Sequence, residues 1–208
     1  MLRIESLGKQ YGDYPLFQGL NLRFGPGCVA LCEEESTGKT TFLSIVAGQL
    51  SPTQGDVWIG GYSMRTQPEA AKARLAYIPE DCMLYPHMTG RELLEKVAAE
   101  KGVTVDQGIL DLAVQLELEP HLEKRFEQMS TGTRRKVYLT AAALGEPEVV
   151  IADGPTNGVD SRACSVLIDV FRRWSQDRVV LFASYDAQFV SACRAQPLAL
   201  RRTEGQTS

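Results

Sequence analysis

The stretch CEEESTGKTT, residues 32 to 41, decides how the rest of the chain is read. Its closing Gly38, Lys39 and Thr40 have the makeup of a loop that holds polyphosphate. Lys39 supplies an ammonium for the terminal phosphates and Thr40 a hydroxyl for magnesium. The loop follows the apolar run CVALC, residues 28–32, and precedes a segment, residues 40–47, that predicts a helix whose free N–H groups face an anion. Its opening departs from that pattern. Glu33 stands where the motif GxxxxGK followed by Ser or Thr begins with glycine, and Glu34 and Glu35 add two more carboxylates where backbone amides should receive phosphate. A unit like-charge pair about 4 Å apart costs on the order of 1 kcal/mol in bulk water and roughly 4 kcal/mol at a less screened site. These residues predict weak ATP binding rather than none.

Farther along, VVIADG, residues 149–154, supplies a matching half: an apolar run that ends in Asp153. A carboxylate at the end of a central strand can hold a magnesium-bound water and complement Thr40. Alone, Asp153 also reads as a strand-end turn residue; beside the loop at 38–40, a nucleotide site is the better reading.

The composition of the 208 residues, 44% apolar, 23% charged and 8% aromatic, is that of a globular protein with one substantial core, and the length favours one domain. A net charge of -4 gives no general electrostatic reason to bind nucleic acid or an anionic membrane surface, so no nucleic-acid partner is expected. Cys28, Cys32, Cys82, Cys164 and Cys193 are dispersed without zinc-site spacing, which predicts buried thiols. The N-terminal residues lack a secretory apolar run, and no stretch reaches the roughly 20 apolar residues that span a bilayer, so a cytoplasmic location is expected.

Short apolar runs predict strands at residues 2–7, 20–24, 28–32, 57–59, 75–78, 149–152, 179–182 and 198–200. The three- and four-residue steps among Ala163, Val166, Leu167, Val170, Phe171 and Trp174 predict a helix over 161–175. Thr89 and Glu92 form a capping-box pair ahead of Leu93, so a helix is expected to begin there. A further helix is expected at 107–116, and 201–208 reads as a frayed tail.

With LAYIPEDCMLYPHMTGRELL at 75–94 and MSTGTRRKVYLTAAALGEPEVVIADGPTNGVD at 129–160, the chain resembles the nucleotide-binding subunit of ATP-binding cassette (ABC) transporters over about residues 2–200. It looks most similar to the branch that serves drug, lipid or polysaccharide exporters. The resemblance implies an α/β P-loop NTPase core, an antiparallel β subdomain and an inserted helical subdomain at about 89–128. Together these would form one nucleotide-binding domain over 1–208. It further implies ATP and Mg²⁺ as cofactors, an integral membrane permease as partner, and a homodimer or heterodimer with a second nucleotide-binding subunit. The chain would then sit peripherally at the inner face of the cell membrane.

By the same resemblance Tyr11 stacks on adenine, while Ser36, Gly38, Lys39, Thr40 and Thr41 cradle the phosphates. Thr40 and Asp153 serve the metal, with Glu80 as a further candidate at the place of the family's glutamine. Ser130 and Gly132 belong to the signature that closes over the opposite subunit's terminal phosphate, and Asp160 to the loop linking the two sites. Each has a plainer reading. Tyr11 can pack beside the first hairpin, Ser130 and Asp160 can be helix caps, and Met83, Leu84, Tyr85 and Met88 can pack a subdomain boundary instead of meeting a permease.

Four positions depart from the family. Glu33 and Ser36 replace loop glycines, Gly154 stands where the family places its catalytic glutamate, and Tyr185 replaces the switch histidine. A phenol donates a hydrogen bond to a γ-phosphate but handles protons poorly, its pKa lying near 10. Three readings follow: a transport subunit whose hydrolysis is weak or absent in isolation; an active ATPase in which Glu80 compensates; and a nucleotide-responsive or nucleotide-free regulatory scaffold.

Overall fold

Three of the apolar runs are continuous because the strands they form are covered on both faces. The computed structural model describes residues 1–32 and 37–200, so Glu33, Glu34, Glu35, Ser36 and the tail at 201–208 lie outside the described residues, together with the expectations placed on them. One sheet is antiparallel, in the order β2 (Tyr14–Phe24), β1 (Leu2–Tyr11), β4 (Gln54–Ile59), β5 (Tyr62–Ser63). The other is parallel, in the order β6 (Leu75–Ile78), β7 (Val149–Asp153), β8 (Val179–Ala183), β3 (Gly27–Leu31), β9 (Gln196–Leu198).

Side chains of a strand alternate between faces, and here each face has its own core. Val149, Ile151, Val179, Leu181, Val29 and Leu31 pack toward the antiparallel sheet and α1 (Lys39–Val46). Val150, Ala152, Val180, Phe182, Cys28 and Ala30 pack on the other side, toward α5 (Thr131–Ala142) and α6 (Ser161–Trp174). Between β6 and β7 the chain leaves the sheet to form α3 (Gly90–Glu100) and α4 (Gln107–Gln115) and returns to it through α5. Thr89 caps α3 with the expected reciprocal pair, and a bridge between Thr89 and Arg125 closes this excursion at its base. The fold is that of an α/β P-loop NTPase with an antiparallel sheet and an inserted helical subdomain.

On the α6 side, Phe171 is fully buried, its ring centroid 5.9 Å from that of Trp174, 5.6 Å from that of Phe182 and 5.7 Å from that of Phe189. Truncating a ring in so closed a cluster leaves a cavity. Phe171→Ala is expected to destabilise the chain by about 3–5 kcal/mol, read as a lower urea midpoint at unchanged slope.

Several boundaries differ from expectation. The first hairpin is longer than the runs at 2–7 and 20–24, pairing from Leu2 with Phe24 out to Tyr11 with Tyr14. Register shifts between Ile4 and Leu7, Leu7 and Lys9, and Lys9 and Gln10 break the two-residue alternation that marks a strand. The edge strand is Gln196–Leu198 rather than 198–200, and it carries Pro197, which only an edge tolerates. The helix expected at 161–175 runs Ser161–Trp174, and short elements such as β5, α2 (Pro68–Lys72) and α7 (Ala187–Ala192) gave no periodic signal. Cys32 corrects the expectation of buried thiols: β3 ends at Leu31, and Cys32 emerges exposed, whereas Cys28, Cys82 and Cys193 are buried and Cys164 is half-buried.

Candidate nucleotide-binding site

The register of the parallel sheet sets three strand ends level: Leu31 of β3 pairs with Ala183 of β8, which pairs with Asp153 of β7. Two more bonds carry the alignment past the strands, from Ser184 N–H to Leu31 O at 3.2 Å and from Gly154 N–H to Ala183 O at 3.1 Å. The segments that follow these ends therefore meet in the crevice outside the carboxyl edge, where open α/β sheets place their ligands. Residues distant in sequence, Lys39, Thr40, Asp153 and Tyr185, arrive there together.

Lys39 opens α1 behind Gly38, whose φ of 88° turns the chain into the helix. Although a lysine, it is 6% exposed. Its Nζ lies 3.5 Å from Thr37 Oγ1 and 4.5 Å from the centre of the Tyr185 ring, so the π face of the tyrosine meets the ammonium. The expected phenol at the switch position is present and exposed, and its ring lies against the cation that would bind phosphate.

Asp153 is buried, and burial pushes its carboxyl pKa up; the hydrogen bond from Thr40 and the charges of Arg135 and Lys39 oppose that rise, while Glu80 adds to it. Among the described residues its Oδ2 has no hydrogen-bond partner. A buried carboxylate oxygen left open beside a threonine hydroxyl suits a small hard cation. Among the described residues no cluster of three or more His, Cys, Asp or Glu forms a metal cage. Glu80 is exposed, and its charge is felt at Asp153. Thr41 is half-buried in the first turn of α1.

The other expected residues lie on separate surfaces. Tyr11 is exposed at the end of β1, with Lys9 Nζ 4.9 Å from its ring centre. Ser130 is exposed and caps α5, its Oγ accepting from Thr133 N–H at 3.2 Å. Gly132 is required by a close approach: a Cβ there would sit 2.0 Å from Gly158 O. Asp160 caps α6, accepting from Ala163 N–H at 2.9 Å, and also pairs with Lys136 at 2.7 Å, which holds its pKa down at about 2. Met83 and Met88 pack against the core, whereas Leu84 is 59% and Tyr85 40% exposed. These two line a cleft of about 570 Å³ together with Lys96 and Tyr138.

Gly154 is more than a lost side chain. Its φ is 59°, its carbonyl accepts from Arg135 and from Asn157 N–H, and a Cβ would lie 2.4 Å from Asn157 Nδ2. The turn is built for glycine.

Sequence reasoning missed Arg135. It is 1% exposed, and its guanidinium donates to Asp153 O at 2.8 Å, Gly154 O at 2.7 Å and Glu80 O at 2.8 Å. The available signal was its place on α5 three residues after Gly132 and four before Leu139, on the buried side of that helix.

The family model described as ABC transporter matches residues 17–157. Phospholipid-transporting ATPase ABCA3 of Rattus norvegicus is 34% identical over 151 residues, 70% of this chain and 9% of that protein. Linearmycin resistance ATP-binding protein LnrL of Bacillus subtilis (strain 168) is 26% identical over 190 residues, 89% of this chain and 61% of that protein. The chain thus spans less than two thirds of these relatives. Among solved structures, the dimeric structure of MJ0796, a bacterial ABC transporter cassette, superposes with a TM-score of 0.82 at 20% identity, covering 92% of this chain and 91% of that one. The strand-end crevice with its loop lysine and buried carboxylate, the inserted helices and the extent of the family match together establish that the chain belongs to the ABC transporter family.

Proposed function

We propose that this chain is the ATP-binding subunit of an ABC transporter, that it works with a separate integral membrane permease and a second nucleotide-binding subunit, and that its own hydrolysis is weak or absent. The observation that carries this reading is the grouping of buried Lys39 and buried Asp153 with the exposed Thr40 that bonds Asp153, kept intact beside a glycine turn that holds no base. Lys39 is to neutralise the terminal phosphates, while Thr40 and Asp153 are to hold Mg²⁺, which supplies charge neutralisation between phosphates. Tyr11 offers an exposed ring for adenine. With no carboxylate on residue 154, the attacking water lacks its nearest proton acceptor.

Support for partners comes from the surface. Leu84 and Tyr85 expose apolar groups at the cleft beside α3, a face suited to a helix end of a permease that keeps the chain at the inner side of the membrane. Among the described residues no helix is long and apolar enough to cross a membrane. The dimeric relative supports pairing of two such domains, here as one domain over 1–208 with helices inserted at about 89–128. The exporter-like branch rests on the sequence resemblance, since the relatives include both a phospholipid-transporting ATPase and an import ATP-binding protein.

Calorimetric titration of ATP with Mg²⁺ into the purified chain, with phosphate release measured on the same preparation, tests the reading. Saturable binding weakened at least about tenfold by Lys39→Ala, roughly 1.4 kcal/mol, is the expected result. Absence of binding would favour the regulatory scaffold, and rapid turnover would favour an active ATPase that uses Glu80.

A further inference from the structure

A buried guanidinium without a carboxylate partner is expensive, so its retention calls for a role. Among the described residues Arg135 makes no ion pair, and its Nε has no partner. Its remaining donors are spent on three backbone carbonyls from two separate segments: Glu80, just beyond β6, and Asp153 with Gly154, at the end of β7. The side chain that binds them belongs to the helix capped by Ser130, the same helix that fits Gly132 against Gly158 O and pairs Lys136 with Asp160.

We propose that Arg135 is a positioning residue for the metal-binding carboxylate of Asp153, holding it, the Gly154 turn and the Glu80 loop in register with the helix that presents Ser130. Gripping the carbonyls of both 153 and 154 fixes the peptide plane between them, and with it the direction in which the Asp153 side chain leaves the strand. A planar donor fork holds carbonyls of separate segments in one fixed geometry; an ammonium on a flexible stem holds them less rigidly. The inference rests on reading the crevice as a Mg²⁺-ATP site, and the test separates the two.

The first measurement is amide hydrogen exchange of ligand-free wild type, Arg135→Gln and Arg135→Lys. The Gly154 amide and residues 80–82 are expected to exchange at least about tenfold faster in R135Q, with Val150 and Val180 unchanged and R135K intermediate. Equal acceleration throughout the sheet, or none, would overturn the assignment. The second is ATP affinity with Mg²⁺ and with EDTA. R135Q is expected to lose about tenfold in Mg²⁺-ATP affinity while binding in EDTA stays within about twofold; equal losses in both would mark a merely structural residue and overturn the proposal. If R135Q fails to fold, R135K decides: full retention of the Mg²⁺ gain and of Gly154 protection would overturn it. Wild type that binds no ATP under either condition defeats the proposed function, and the exchange pattern then judges Arg135 alone.

Discussion

Replacing Ser130 with alanine in this chain is expected to cut ATP turnover of a reconstituted transporter by about 10²-fold, although the chain's own site contributes little of that turnover. In the head-to-tail pairing that the resemblance implies, each ATP lies between one subunit's phosphate loop and the other's signature. The two faces of this chain are unequal. The face that the resemblance assigns to the signature keeps an exposed serine at the head of a 12-residue helix, its Oγ accepting from Thr133 N–H and lying 2.9 Å from Thr133 Oγ1. Its phosphate face ends in a turn without a base. Ser130 is therefore expected to act on the partner's nucleotide. The substitution also removes a helix cap, worth about 1 kcal/mol, so Ser130→Asn, which keeps a capping oxygen and loses the hydroxyl, separates capping from the hydroxyl's role. The assay is phosphate release by the complex with assembly and nucleotide occupancy verified. Unchanged turnover in S130A would reject the assignment.

The isolated chain is expected to hydrolyse ATP below about 0.1 per second, because a positioned general base contributes roughly 10²- to 10⁴-fold and typical enzymes work at about 1 per second or faster. Adding the missing acid is not expected to restore the rate. At φ 59° a side-chain-bearing residue is strained by roughly 1–2 kcal/mol, and its Cβ would press on Asn157. Gly154→Glu should melt earlier than wild type and remain slow. Steady-state phosphate release at saturating ATP and Mg²⁺ measures this, with Lys39→Ala as background. A wild-type rate near or above about 1 per second that disappears in K39A would end the weak-hydrolysis reading.

The central strands were legible because burial on both faces makes them unbroken apolar runs, and α6 because one stripe alone is buried. The caps at Thr89, Ser130 and Asp160 were legible from local chemistry, since each serves an amide of its own helix. The distal half of the first hairpin was not, since its bulges erase the alternation. Arg135 escaped because an arginine is exposed by default, and only the three-dimensional meeting of α5 with two distant segments buries it. The approach of Tyr185 to Lys39 likewise depends on β3 and β8 lying side by side in register, a fact that belongs to the sheet and to neither segment.

The tyrosine ring on the loop lysine also bounds how strongly the crevice would resist a phosphate. Where arriving phosphate takes the ring's place on Lys39, the receptive population is the fraction in which the ring has moved away. A cation–π contact at an exposed ring is worth about 0.5–1 kcal/mol, which favours the covered state by roughly two- to fivefold. Tyr185 is 60% exposed and falls in that range. On that reading the ring would weaken loading by only a small factor and leave the site's occupancy to the concentration of nucleotide around it.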